Sequence, residues 1–269
     1  MLLHIKPGKG ERLGSYLRSI KNALHVAFHL RVNIKIDNNN LKYVPKFIRI
    51  NEDSSEEILY EHTFFGYKRI CKDLGIEPRV FEQNERLVQE KMQEIIKLPR
   101  PDKTFGANDL YIHMRSGDIF LVGGFSALYV PPPLIFYMKA ISAKPWDNIR
   151  IICEDQENPM LSFLLAKYPR ITWKQQSLEE DIRLIVGAVN IAYGGGTFVS
   201  GLLIFNQDLR SVYRVSYSQP PPKGRDIAQQ LFPCEDYVAG MGGRFTGHPR
   251  HIEYAFKYGI VPVRRLQLL

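Results

Sequence analysis

Leu110-Tyr111-Ile112-His113-Met114-Arg115-Ser116-Gly117-Asp118 runs from an apolar strand straight into a charged loop with a glycine. Outward from it the pattern alternates. Helix Pro132 to Ser142, strand Ile149 to Cys153, helix Pro159 to Tyr168 and strand Ile171 to Trp173 come first. Helix Leu178 to Val189, strand Ile191 to Tyr193, a helix from about Ser200 and strand Val212 to Val215 follow. Strands alternating with helices predict a mostly parallel, doubly wound sheet, in which ligands sit beyond the carboxyl ends of the strands. His113 to Asp118 lies at such an end.

The amino-terminal part repeats the alternation. Leu2 to Ile5 reads as a strand, and Pro7-Gly8-Lys9-Gly10 as a turn. Leu13, Leu17, Ile20, Leu24, Ala27 and Phe28 recur at helical spacing over 12 to 30, and Val32 to Ile36 alternates as a strand does. A helix over Glu82 to Leu98 is stopped by Pro99, and Pro99 to Gly106 reads as a linker. The expected division is an α/β domain over 1–105 on the acceptor side, a nucleotide-binding α/β domain over 106–220, and a tail over 221–269 packing back on them.

Composition narrows the class. The chain has 269 residues, 45% hydrophobic and 24% charged, which suits an ordinary globular protein. Cys71, Cys153 and Cys234 are too few and too scattered for a disulfide framework or a zinc cluster. No signal peptide and no run of eighteen apolar residues is evident, so the expectation is a cytoplasmic protein with no membrane span. A catalytic domain separated from a Golgi anchor is the alternative. The net charge of +8 is scattered in ones and twos, which argues against nucleic acid as partner. A diphosphate-bearing substrate also favours positive charge.

Several residue sets can carry chemistry. The planar Arg115 fork matches two pyrophosphate oxygens and stabilises a leaving diphosphate without a metal. Asp118 orients that fork or accepts a proton; the plainer reading is an Arg–Asp pair tying down a strand end. Thr197-Phe198-Val199-Ser200-Gly201 follows the turn Gly194-Gly195-Gly196, where small residues let backbone N–H groups and hydroxyls approach an anion. The plainer reading is a tight turn with an ordinary cap. Glu154 and Asp155 end another strand, as acceptors for a ribose or base or as a simple helix start. Glu11, beside Gly10 in the first turn, is a candidate general base. His25 and His29 share a helix face without the surroundings of a metal site, and no Asp-x-Asp motif stands at a strand end.

His113-x-Arg115-x-Gly117-Asp118 after a strand resembles the signature of the metal-independent fucosyltransferases that make α-1,2, α-1,6 and protein O-linked fucose. Gly10-Glu11-Arg12-Leu13-Gly14-Ser15-Tyr16-Leu17 resembles the first glycine loop and helix of that family. Leu178-Glu179-Glu180-Asp181-Ile182 through Gly196-Thr197-Phe198-Val199-Ser200 resembles its Ser-Thr-Phe-Ser stretch. Compact enzymes of this look occur in algae and their large viruses.

The resemblance implies a GT-B-like α/β architecture, two Rossmann-like domains facing a cleft. It implies inverting transfer of a sugar from a nucleotide sugar to a glycan hydroxyl, with no metal or other cofactor. Arg115 would hold the phosphates and His113 would line the same pocket. Gly10, Ser116, Thr197, Phe198 and Ser200 would meet the donor, with Glu154 and Asp155 near the nucleoside. Arg115, Asp118 and Glu11 would be the catalytic set, Glu11 and Asp118 competing as base. Ser116 stands where many members carry a second Arg. Fucose from GDP-fucose is the first expectation, and xylose or another sugar from a UDP-sugar the second. A non-catalytic nucleotide- or glycan-binding module is a further one.

Overall fold

In the computed structural model, which describes residues 2–6, 12–37, 47–49, 58–62, 64–102, 105–120, 129–223 and 225–260, the chain divides into two units. The first comprises Met1–Leu98 with Ser200–Phe205 and Pro222–Arg225. The second comprises Pro99–Val199 with Asn206–Pro221 and Asp226–Leu269. Both are α/β.

In the first unit, β1 (Leu2–Ile5) is buried throughout and pairs parallel with β2 (Asn33–Asp37) and β4 (Ile58–His62). β3 (Phe47–Arg49) runs antiparallel to β2, giving the order β3-β2-β1-β4. Connecting β1 to β2, α1 (Leu13–Leu30) buries Leu13, Leu17, Ile20, Leu24 and Ala27 of the stripe legible in the sequence, together with Tyr16, while Phe28 of that stripe is 37% exposed at the end of the helix. It ends at Arg31, whose left-handed φ of 55° lets its N–H close on the Ala27 carbonyl. α2 (Tyr67–Leu74) ends the same way at Gly75.

The expected helix over Glu82 to Leu98 is instead α3 (Val80–Gln83) and α4 (Glu85–Ile95). Asn84 leaves helical geometry at φ −114°, ψ 22°, while its carbonyl accepts from the N–H of Val88 and so starts α4 afresh. α4 also explains the division of the chain. Gln93 donates to the Ile204 carbonyl at 2.7 Å and Gln89 reaches the Lys223 carbonyl at 3.5 Å, tying two later segments to this unit.

A charged cluster lies between α1 and α4. Glu85 accepts from Lys21 at 2.7 Å and from Gln89 at 2.7 Å, and its second oxygen lies 3.2 Å from His25 Nε2. Burial alone would raise the Glu85 carboxyl, but the His25 and Lys21 contacts outweigh it and lower the pKa from 4.5 to about 2. The stabilisation is therefore complete above about pH 4.5 and fades as pH falls towards about 2. Glu85→Gln is expected to cost about 1–3 kcal/mol at pH 7 and much less at pH 3. Thermal melts of both proteins at the two pH values check this.

The second unit is a fully parallel sheet in the order β10-β9-β8-β5-β6-β7. Its strands are β5 (Leu110–His113), β6 (Ile149–Ile152), β7 (Ile171–Thr172), β8 (Asn190–Tyr193), β9 (Ser211–Val215) and β10 (Ala228–Phe232). Interspersed are α5 (Leu134–Ser142), α6 (Pro159–Lys167), α7 (Leu178–Gly187) and α8 (Phe198–Leu202), which begins in this unit and ends in the Ser200–Phe205 segment that groups with the first, and after β10 come α9 (Glu235–Gly240) and α10 (Pro249–Lys257). Leu110, Ile112, Leu134, Ile151, Leu161 and Leu164 belong to its core.

The order places β5 beside both β6 and β8. The chain leaves β5 in one direction, through β6 and β7, then crosses back to pair β8 on the other side. The carboxyl ends of β5 and β8 therefore flank a topological switch point, where parallel sheets leave a crevice.

The division at Leu98/Pro99 falls ahead of the expected 105/106, and 226–260 belong to the second unit. β10 adds to the sheet edge with mostly exposed side chains, so it carries none of the apolar alternation by which a strand is read.

Candidate functional site

Beyond β5 the ladder continues for one more bond, Met114 N–H to the Ile152 carbonyl at 2.9 Å, and then the chain breaks away at Arg115. Asn158, fully buried, fixes that departure. Its amide donates to the Arg115 carbonyl at 2.9 Å while its Oδ1 accepts from Met160 N–H and caps α6.

The Arg115 guanidinium faces two carboxylates. One nitrogen donates to Asp118 at 2.5 Å, and the other lies 3.3 Å from Glu154. The side chain stays 24% exposed, against 38% for Asp118 and 47% for Glu154, so an incoming anion has access to the fork. Both carboxylates occupy the fork that such an anion would have to reach.

Ser116 and Asp155 do a different job. The Ser116 hydroxyl donates to Asp155 Oδ1, which also accepts from Gly117 N–H at 3.3 Å and Glu157 N–H at 2.9 Å. That one oxygen stitches the loop after β5 to the loop after β6. Gly117 takes φ 64°, a conformation that favours glycine, and a Cβ there would press on the Glu154 and Asp155 carboxylates at 3.0 Å and 3.2 Å.

His113 packs its ring against Phe198, 5.6 Å between centroids, joining the end of β5 to the start of α8. Its enclosure, and then the Arg115 cation, lower its pKa to about 3, leaving a neutral imidazole at physiological pH. Thr197, next to Phe198 in sequence, is half-buried. Ser200 is buried and falls in the segment that groups with the first unit. α8 has five residues and starts at Phe198, so Thr197 to Ser200 span its beginning. Gly10 and Glu11 lie outside the described residues.

Sequence reasoning missed Tyr129. Its ring lies over the glycine turn after β8, 3.6–3.7 Å from where side chains at Gly195 and Gly196 would begin. Burial raises its phenol, which stays neutral, and the Arg115 charge acts on it as well. Asp181, on α7, was quoted only within the resemblance. It accepts from Gln176 at 2.6 Å, and Gln176 in turn accepts from Arg150 at 2.9 Å. Burial raises its pKa to about 6, with the Glu154 charge adding to the rise. Nothing in a lone Asp-Ile pair signals that. The Cys153 thiol, pushed up to about 12 chiefly by burial, is no nucleophile at neutral pH.

Among the described residues no three of His, Cys, Asp and Glu converge as a metal site, and no helix is long and apolar enough to cross a membrane.

No protein-family model matches the chain, and no curated protein matches it. Among solved structures it is similar to NodZ α-1,6-fucosyltransferase soaked with GDP-fucose, at 9% identity and TM-score 0.37 over 76% of this chain and 91% of that one. The same enzyme co-crystallised with GDP gives 9% and 0.39 over 81% and 95%. E. coli heptosyltransferase WaaC with ADP-2-deoxy-2-fluoro heptose gives 12% and 0.42 over 86% and 92%. Likeness at these TM-scores assigns no residue and no activity.

Proposed function

We propose that the chain is a glycosyltransferase that takes a sugar from a nucleoside diphosphate and places it, with inversion, on a glycan hydroxyl. The observation that carries this is the position of Arg115. A partly exposed guanidinium, its backbone clamped by Asn158, stands at the switch point of a parallel sheet, where nucleotides bind in such folds. The residue-level resemblance of His113 to Asp118 to the fucosyltransferase signature points the same way.

In this reading the diphosphate displaces carboxylate from the Arg115 fork, which then neutralises the leaving group as the glycosidic bond breaks. His113 is a neutral hydrogen-bonding group beside it. Asp118, released from Arg115, is placed to take the acceptor proton, with Glu11 as the competing base. GDP-fucose is the first donor to test. A UDP-sugar such as UDP-xylose is the second reading, because Ser116 stands where many members of the resembled family carry a second Arg, and its hydroxyl is engaged by Asp155.

The test is release of nucleoside diphosphate from GDP-fucose and UDP-xylose across a panel of glycan acceptors, in EDTA. Acceptor-dependent release, undiminished by the chelator, is expected because Arg115 supplies the cation. Release from neither donor with any acceptor overturns the proposal.

Glu154 gives a sharper handle. As an anion 3.3 Å from Arg115, it competes with the diphosphate and repels it. Glu154→Gln is therefore expected to tighten nucleoside diphosphate binding by about three- to ten-fold, since exposed ion pairs and near charges are each worth up to about 1 kcal/mol. Titration calorimetry measures it. Weaker binding in the variant would place the carboxylate on the donor's hydroxyls instead.

A further inference from the structure

Tyr129-Val130-Pro131-Pro132-Pro133 is a stretch whose three prolines have little backbone freedom. Two phenols pin it from outside: Tyr217 donates to the Val130 carbonyl at 3.0 Å and Tyr237 to the Pro131 carbonyl at 2.9 Å. Set by this stretch, the Tyr129 ring lies along the turn after β8. Its Cε2 is 3.6 Å and 3.7 Å from where side chains at Gly196 and Gly195 would begin, and its hydroxyl is 3.5 Å from the same point on Gly194. The ring thus runs back along the turn, and the hydroxyl ends at Gly194.

Gly194 follows Tyr193, and Tyr193 stands opposite His113 in the register of β8 and β5. The hydroxyl is therefore at the carboxyl ends of the two strands that flank the switch point, with Arg115 two residues beyond His113. Burial keeps the phenol protonated, and the groups whose charge bears on it are Arg115, beyond β5, and Cys153 and Glu154, at the end of β6. Three tyrosines around it use their hydroxyls on backbone carbonyls: Tyr193 on Gln219 at 2.8 Å, and Tyr217 and Tyr237 on Val130 and Pro131. The hydroxyl of half-buried Tyr129 has no hydrogen-bond partner among the described residues. A phenol withdrawn from water normally has an acceptor, and an unpaired one in the field of a guanidinium is complementary to the anion which that guanidinium binds.

We propose that the Tyr129 hydroxyl is a second hydrogen-bond donor to the diphosphate of the sugar nucleotide, acting with the Arg115 fork, an inference that rests on the transferase reading of Arg115. Arg115 comes to the ligand from the end of β5 and Tyr129 from the turn after β8, so the diphosphate lies across the switch point. The phenol keeps its proton throughout. It gives a hydrogen bond and takes part in no proton transfer.

The experiment is calorimetric titration of the full chain with GDP, UDP, guanosine and uridine in EDTA, for wild type, Tyr129→Phe and Arg115→Ala, with a thermal melt of each. Tyr129→Phe keeps the ring against the glycine turn and should melt like the wild type. It is expected to bind the nucleoside diphosphate that the wild type prefers about ten- to a hundred-fold more weakly, the cost of one hydrogen bond to a charged group. Its affinity for the corresponding nucleoside should be unchanged. Equal affinity for the diphosphate in Tyr129→Phe and wild type overturns the proposal. So does an equal loss for the nucleoside, which puts the hydroxyl on the base or ribose. Where Arg115→Ala loses the nucleotide and Tyr129→Phe does not, this role of Tyr129 alone fails and the transferase reading stands. Binding of neither nucleotide by the wild type defeats both.

Discussion

Arg115→Ala is expected to weaken GDP or UDP binding by about 30- to 1000-fold, the effect of losing two charge-assisted hydrogen bonds worth about 1–2 kcal/mol each. The side chain is partly exposed and its contacts are with Asp118 and Glu154, so little packing is lost with it. What positions the loop is backbone and neighbour: the Asn158 amide on the Arg115 carbonyl and Asp155 on Ser116 and Gly117. The melting temperature should therefore stay near that of the wild type. Removing Arg115 leaves Asp118 and Glu154 near each other without their cation, and that repulsion adds to the loss for an anionic ligand. Transfer, once an acceptor is in hand, should fall at least as far, because the leaving diphosphate carries more charge in the transition state than in the ground state. Calorimetry on the two proteins, with a melt of each, separates a binding defect from unfolding.

Gly194→Ala should act in the opposite way, on the fold first. Gly194 closes β8 at the switch point, and a Cβ there would lie 2.4 Å and 2.7 Å from the Pro132 ring carbons. Proline cannot swing aside. Either β8 or the segment before α5 has to shift, and overpacking of this kind costs about 1–3 kcal/mol, or about 2–12 °C in melting temperature for a chain of this size. The shift also disturbs Tyr129, Tyr217 and the turn Gly194 to Gly196, which pack against one another. Nucleotide affinity should thus fall together with stability. A variant that melts like the wild type would mean that Pro132 yields more easily than its packing suggests.

The α/β nature of both units was legible because the elements that make them obey period rules. β5, β6 and β8 are short apolar runs bounded by turns, and α1 carries a helical stripe from Leu13 to Ala27. What escaped had no such signal. β10 lies at an edge with its side chains in solvent, and the break at Asn84 rests on one residue's backbone angles. Ser200–Phe205 and Pro222–Arg225 join the first unit through Gln93 and Gln89, contacts at separations of more than a hundred residues that no local pattern encodes.

The site divides along the same line. Arg115, Asp118 and Glu154 were readable because charged residues at strand ends are conspicuous, and the parallel sheet brings those ends together. Ser116 and Asp155 were also named, but the structure gives them a bond to each other. That bond could not be foreseen, since it depends on β5 and β6 being neighbours and on Gly117 turning left-handed between them. Tyr129 and Asn158 needed the fold itself. One matters through the glycines it covers and the other through a carbonyl in a distant loop.

The most direct measurement of the central claim is titration of GDP and of UDP into the purified chain in EDTA, with wild type, Arg115→Ala and Glu154→Gln run side by side. The account predicts binding of one nucleoside diphosphate without metal, lost in Arg115→Ala and strengthened in Glu154→Gln. Equal binding in wild type and Arg115→Ala, or binding of neither nucleotide by the wild type, would contradict it.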